Sequence, residues 1–123
     1  MNNLNSYKSS FIEFVEKLSN KSFDGSEWSV DFNIDLNQEL ELEMKKINAY
    51  ICLSEEALKQ QDYVTANVAF LYLRMHALNL SGFFQNIYDD LEALPTSESQ
   101  LFSIPENFSI PKRYKFENFD IEQ

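Results

Sequence analysis

One stretch of the chain, residues 66–80, constrains the fold more than any other. Its only strongly polar side chains are Asn67, Arg74, His76 and Asn79. A helix that is apolar on nearly every side is usually the buried centre of its domain. We therefore predict a mainly α fold, with four to five helices packed around a buried central helix over residues 64–80.

Helical periodicity also marks the segments at either end of the folded body. A first helix is predicted from about residue 6 or 10 to residue 19, because Ser10 and Glu13 have the spacing of a capping box. The central helix is expected to end or kink at Ser81-Gly82, with Gly82 as the C′ residue, and a last helix to stop before Pro95. The inward side chains of that last helix are predicted to be Phe84, Ile87, Leu91 and Leu94.

A further helix is predicted to begin near residue 37, with Asp35 or Asn37 as its N-cap. After residue 53 this helix either breaks and restarts or simply continues. Spacings of three and four residues predict an inward apolar stripe on it. The stripe consists of Leu40, Met44, Ile47 and Ile51, with Leu36 and Leu58 as extensions.

The period of the pattern changes to two in residues 27–36. The apolar members of this alternation are Trp28, Val30, Phe32, Ile34 and Leu36. A strand would place all five on one face, whereas a helix would scatter them. We therefore predict a short β-strand or extended element here. Pairing with residues 114–121 would make the fold α+β.

All three prolines lie in the C-terminal quarter, where Phe-Ser-Ile-Pro at 102–105 recurs at 108–111. Because the residue before a proline is pushed towards extended geometry, this region is predicted to be an arm and not a helix. We expect one domain over residues 1–123, with a helical body at about 6–94 and a Pro-containing aromatic arm at 95–123. The arm either wraps its own helical body or crosses to a second chain.

Composition excludes several classes of protein. The chain has 123 residues, a net charge of −10 at pH 7 and one cysteine. A single cysteine excludes a disulfide scaffold, and no apolar run reaches the ~18 residues of a membrane helix. The negative charge disfavours direct binding to nucleic-acid phosphates. The N-terminus lacks the basic and apolar regions of a signal peptide, so we expect a cytoplasmic protein.

Side chains that could carry chemistry are scarce. Cys52 and His76 are the only residues of their types, and we expect both to be buried in the core. No zinc-ligand cluster or glycine-rich phosphate loop is present, so we predict no metal, no cofactor, no catalytic residues and no enzyme activity. Arg74, if buried, requires either a carboxylate partner or a bound anion.

Charge is distributed unevenly along the chain. Seven acidic residues and no basic ones lie between Lys21 and Lys45, and five lie between Arg74 and Lys112. If these stretches converge, they create a field of one sign that steers a basic partner. Solubility alone is the other explanation. The candidate partner-binding residues are Asp31, Asp35, Glu39, Glu43, Asp89, Asp90 and Glu92, with Trp28 and Tyr88 as aromatic anchors.

These patterns support three functional hypotheses. The first is a bacterial immunity protein that neutralises a toxin, most readily a contact-dependent or secreted nuclease, by covering its basic active site. The second is an anti-defence protein that mimics DNA and binds a nucleic-acid-handling enzyme. The third is a non-enzymatic adaptor that dimerises through the arm or through the edge of residues 28–36. The expected partner of the first is a basic toxin domain.

Overall fold

The computed structural model describes residues 3–94, 102–114 and 116. It contains three α-helices, α1 (Leu4–Ser19), α2 (Leu36–Lys59) and α3 (Tyr63–Glu92), and a one-turn 3₁₀-helix at Gly25–Glu27. A tight turn at residues 60–62 joins α2 to α3, and the two helices pack along each other as a long antiparallel hairpin. Helix α1 and residues 20–35 pack at the open end of this hairpin.

The hairpin is held by a seam with heptad spacing. The inward side chains of both helices recur at alternating intervals of three and four residues, the a and d positions of a coiled coil, and all are buried or half-buried. Small side chains near the turn let the helix axes approach closely. The seam consists of Leu36, Leu40, Glu43, Ile47, Tyr50, Ser54 and Ala57 on α2, and of Ala66, Ala69, Leu73, His76, Leu80, Phe83, Ile87 and Asp90 on α3.

Aspartate side chains cap the start of both hairpin helices. The Gln38 N–H donates to Asp35 at 3.0 Å, and the Thr65 N–H donates to Asp62 at 3.0 Å. These bonds satisfy N–H groups that have no partner within the helix. Of the two caps proposed for α2, Asp35 is therefore the one used. Gln61, at φ 57, makes the left-handed step that separates the helices.

The predicted number of helices is wrong, because α3 runs without a break through Ser81 and Gly82 to Glu92. Glycine within a helix costs only about 1 kcal/mol relative to alanine, and the seam continues on both sides of it. Gly82 is therefore an interior residue and not a C′ residue. Helix α2 likewise continues past residue 53. Helix α1 begins at Leu4, whose N–H donates to Asn37 Oδ1 at 2.8 Å, so the capping box at Ser10 is not used.

The predicted buried central helix is also wrong. Helix α3 has α2 along one side only, and the exposed fractions of Val64 and Leu78 are 77 and 71 %. Its buried side chains are confined to the heptad seam. The apolar composition of the other faces is therefore not explained by packing within the described part of one chain.

The predicted β or extended element at residues 27–36 is not a strand, and the described residues contain no strand at all. After the 3₁₀ turn the segment bends, and Val30 and Leu36 still reach the core while Ile34 is exposed. Its backbone N–H groups at Ser29 and Val30 donate to a side-chain carboxylate and not to a neighbouring strand. Among the described residues this alternation therefore has no partner strand, and residue 114, the first of the predicted partner, is not in one.

An aromatic cluster joins α1 to this segment. Phe11 is buried at its centre, with ring centroids 4.9 Å from Trp28 and 5.6 Å from Phe32. Phe23 and Tyr7 complete the group at 6.5 and 5.7 Å. Edge-to-face and stacked aromatic pairs add to area burial, so the cluster fixes α1 at the open end of the hairpin.

The described part of the arm is irregular and not fully extended. The Phe108 N–H donates to Pro105 O at 3.2 Å, and the Tyr114 N–H donates to Pro111 O at 3.1 Å, so a turn comes after each of these prolines. The Phe102 ring lies 5.5 Å from Phe14 of α1. Residues 95–101, 115 and 117–123, and with them most of the predicted pairing partner of the 28–36 segment, lie outside the described residues.

Candidate functional site

Acids from both stretches of the sequence meet at the open end of the hairpin, those of the second stretch being Asp89, Asp90 and Glu92. Helix α2 begins there and α3 ends there, because the helices run antiparallel. The carboxylate of Asp90 joins the stretches directly: the Ser29 N–H donates to its Oδ1 at 2.7 Å and the Val30 N–H to its Oδ2 at 2.9 Å. Asp90 is only 2 % exposed. It therefore anchors the 29–36 segment and is not available to a partner.

An open cleft of about 470 Å³ lies between the 29–36 segment and the two long helices. Three carboxylates line it, those of Asp31, Glu39 and Glu43, together with the amides of Asn79 and Asn86. The remaining wall is largely apolar and includes Ile34, Leu36, Phe83 and Ile87. None of the described residues that line the cleft is a lysine or an arginine. The cleft thus combines an apolar wall with three negative groups.

A buried polar group forms the inner wall of this cleft. His76 Nδ1 lies 2.8 Å from Glu43 Oε2, and the Asn79 amide donates to Glu43 Oε1 at 3.4 Å. A carboxylate oxygen only accepts, so Nδ1 carries the hydrogen of this bond. The Tyr50 ring stacks on His76 at 5.6 Å and on Tyr72 at 5.2 Å. Glu43 is consequently fixed in one position, with its carboxyl group in the wall of the cleft.

The other predicted partner-binding residues are placed in three different settings. Asp35 caps α2 and accepts from the Asn5 amide at 2.7 Å, and these hydrogen bonds lower its pKa. Asp89 accepts from Gln85, and Glu92 accepts from Tyr88 at 3.2 Å, all on the last turns of α3. The bond to Glu92 raises the pKa of Tyr88. Trp28 is half-buried in the aromatic cluster.

Of the residues whose burial the sequence raised, one is buried and two are exposed. His76 is buried and bonded, as expected, but Cys52 is exposed because it lies on the outer face of α2, opposite the seam. The prediction of a buried cysteine is therefore wrong. Arg74 is exposed on α3, so neither a buried ion pair nor an anion site is needed to explain it.

One buried hydroxyl beneath the open end has no hydrogen-bond partner among the described residues, that of Tyr7. Burial, with a smaller contribution from the negative charge of Asp90, raises the pKa of Tyr7 to about 12. The neutral phenol is therefore strongly preferred in the folded protein.

Sequence reasoning missed two polar residues of the cleft, Asn79 and Asn86. They are spaced by seven on one side of α3, next to the seam. A heptad register for α3 could have found them, because it places both at g positions beside the g position of α2, Glu39. The expected break at Gly82 concealed that register.

No family model, curated protein or solved structure matches this chain. Among the described residues, no helix is both long and apolar enough to cross a membrane. The same residues contain no group of three or more His, Cys, Asp and Glu side chains arranged to hold a metal ion. A function for this chain must therefore be inferred from the geometry and charge of the cleft.

Proposed function

We propose that this chain is a small acidic protein that binds and inhibits a basic partner protein, and that its cleft receives a lysine or arginine side chain of that partner. The observation that carries this proposal is the cleft itself, which has carboxylates from Asp31, Glu39 and Glu43 and an apolar wall. Lysine and arginine have a long apolar stem and a cationic end, so one such side chain matches both parts of the lining.

The class of partner is inferred from charge. A nuclease must be positive where it holds phosphate, and a protein of net charge −10 is attracted to such a surface at long range. Insertion of a catalytic or phosphate-binding cation into the cleft would block the active site directly. A toxin nuclease is the partner this chemistry favours, and the chain would then act as its immunity protein in a bacterial cell.

Mimicry of DNA is less well supported. That function needs rows of exposed carboxylates at phosphate-like spacing. Asp90 is buried, and Glu43 is recessed in the cleft wall with its carboxylate bonded to His76 and Asn79, so neither contributes to an exposed row. An inhibitor that receives a single cation requires only the few carboxylates that line the cleft.

The test is coexpression with the product of the neighbouring gene, with cell growth and calorimetric affinity as readouts. The proposal expects that product to be a basic toxin domain. The double variant Asp31→Asn, Glu39→Gln should lose protection and bind at least about tenfold more weakly. The reason is that a hydrogen bond to a charged group contributes about 1.5–3 kcal/mol and ~1.4 kcal/mol is tenfold in affinity. Both positions are exposed, so the fold should be unaffected.

The matched control is Glu55→Gln, which removes one negative charge from an exposed position of α2 outside the cleft. It should change affinity by less than about twofold, as expected for a remote surface charge. Equal affinity of the double variant and the wild type would exclude the cleft as the binding site. Failure of the wild type to bind or protect would exclude the inhibitor function.

A further inference from the structure

The hairpin has a second apolar surface that its own seam does not use. It consists of the e positions of the heptads, the positions that flank the seam on one side. We call this set the e face. Every member is exposed, and the large ones have exposed fractions of 40 to 66 %. The e face consists of Met44, Ile51 and Leu58 on α2, and of Tyr63, Phe70, Ala77, Phe84 and Leu91 on α3.

The e positions of the two helices lie on the same side of the hairpin. In an antiparallel helix pair the e positions of one helix neighbour those of the other, and so do the g positions. The cleft confirms the register, because it brings Glu39 of α2 together with Asn79 and Asn86 of α3, all at g positions. The cleft and the e face are therefore on opposite sides of the seam.

The two sides differ sharply in composition. Apart from Asn37, which bonds the first turn of α1, every e position of the two helices is apolar or aromatic. The g positions, in contrast, are mostly polar: Glu39, Lys46, Leu53, Thr65, Tyr72, Asn79 and Asn86. Apolar residues at a, d and one flanking position are the pattern of helices that pack in bundles of more than two.

We propose that a second copy of this chain docks on the e face, so that two hairpins form a four-helix bundle. A dyad between the copies places the same surface on both sides of the contact, and a flat, uncharged, two-helix face is suited to pack on itself. Four helices whose a, d and e positions are mostly apolar then enclose one continuous core. The exposed flank of α3 next to the seam becomes an interior surface of the dimer.

The area of the e face is sufficient for a stable dimer. Helix α2 has 24 residues and α3 has 30. At 1.5 Å per residue the shared length of the hairpin is ~36 Å. Two helices packed about 9 Å apart present a face ~20 Å wide. The contact would bury ~700 Å² on each copy, or ~1,400 Å² in total, within the range of stable specific interfaces.

Charge also favours a second copy over a charged partner on this face. The e face holds no charged side chain, although the chain carries −10 overall. Its edge on α2 carries Glu41 and Glu55 and its edge on α3 carries Arg74, so the rim is negative on balance and does not attract an anionic membrane surface. A dimer held by uncharged side chains, between two negative molecules, should become tighter or stay equal as salt screens their repulsion.

A rival apolar stripe lies on the outer face of α3. It consists of Val64, Val68, Leu71, Met75 and Leu78, and it is exposed. It covers about 21 Å on a single helix, whereas the e face covers about 21 Å on α2 and about 42 Å on α3, so the area of the stripe is well below that of the e face. This stripe supplies the matched control for a test of the dimer.

The test is sedimentation equilibrium of the full chain from about 1 to about 100 µM. The wild type should be a dimer, and Ile51→Lys and Phe84→Lys should each weaken it at least a hundredfold. Leu71→Lys, on the rival stripe, should change the dissociation constant less than threefold. Lysine lowers the negative charge, so dissociation cannot come from greater repulsion between copies.

Two results would overturn this assignment. If the wild type stays monomeric at about 100 µM, a second copy does not cover the e face, and another occupant, such as the chain's own C-terminal arm, must be considered. A dimer that survives both e-face variants but is lost in Leu71→Lys belongs to the rival stripe. If an e-face variant unfolds, the unfolding midpoint of the wild type still tests the dimer. For a dimer this midpoint rises with protein concentration, whereas for a monomer it does not.

Discussion

At the scale of single residues, one buried carboxylate organises the open end of the molecule. Asp90 replaces a neighbouring strand as the acceptor for the backbone of the 29–36 segment. That segment carries Asp31 and Ile34 to the cleft, so the position of the cleft wall depends on a residue that does not line it. The function of this aspartate is structural, although its sequence context marked it as a surface acid.

Replacement of Asp90 by Asn should lower the free energy of unfolding by about 2–4 kcal/mol. The variant loses one charge-assisted acceptor and turns an amide donor towards a backbone N–H. Urea unfolding measures the effect. Asp89→Asn is the control, because Asp89 bonds only to a neighbouring side chain on the surface and should change stability by about 0.5 kcal/mol or less. Equal effects in both variants would contradict the anchoring role of Asp90.

Tyr7 predicts a dependence of stability on alkaline pH. In the folded protein the pKa of Tyr7 is raised to about 12 from the ordinary 10.0, so folding favours the neutral phenol. The resulting contribution to the free energy of unfolding is complete below pH 10 and is lost as the pH rises towards 12. In Tyr7→Phe this loss is absent, and removal of a hydroxyl without a partner should raise stability by about 1 kcal/mol at neutral pH. Urea midpoints of both proteins between neutral and alkaline pH test this. Parallel pH profiles of the two proteins would show that Tyr7 titrates normally.

At the scale of elements, the hairpin is defined by its seam and its caps. Heptad spacing persists over the full length of both helices, even where the seam residues are Glu43, His76 and Asp90. A continuous seam also explains why α3 tolerates an interior glycine. The local sequence indicates that the helix stops at Gly82. In the packed helix this glycine costs only its unfavourable helix propensity, and the helix continues.

Gly82→Ala should stabilise the protein by about 0.5–1 kcal/mol. A Cβ at this position meets no atom within 4 Å, so only the helix propensity changes. Thermal unfolding followed by circular dichroism measures the gain. The reverse change at the adjacent exposed position, Ser81→Gly, should lower stability by a similar amount. A loss of stability in Gly82→Ala would mean that α3 bends or breaks at this residue.

At the scale of the whole molecule, two proposed binding surfaces lie on opposite sides of one hairpin. The g side forms the acidic cleft at the open end, and the e side forms the proposed dimer contact. A dimer built on the e face would leave both clefts open and facing away from each other. One assembly could then hold two basic partners.

The two surfaces should therefore be separable by mutation. Asp31→Asn, Glu39→Gln should weaken partner binding while the dissociation constant of the dimer stays within about threefold of the wild type. Ile51→Lys should dissociate the dimer while each chain still binds its partner. Sedimentation and calorimetry on both proteins test the pair. Loss of both properties in either variant would show that cleft and dimer contact are coupled.

The sequence by itself determined the local features of this protein. It predicted a helical chain, the end of α1 at Ser19, an N-cap of α2 at Asp35 or Asn37 and the inward positions of Leu36, Leu40 and Ile47, because caps and periodicity act over a few residues. It also located the two acidic stretches. Each of these depends on neighbours along the chain.

Only the tertiary structure decided which surfaces those features face. Met44, Ile51, Phe84 and Leu91 have helical spacing that predicts burial, yet they are exposed, because periodicity shows which side is apolar and not what covers it. Alternation at residues 27–36 resembles a strand, but a strand requires a partner, and Asp90, sixty residues away, takes that place. Long-range contacts of this kind depend on how the 29–36 segment and the two helices pack together, and the periodicity of one segment does not specify that.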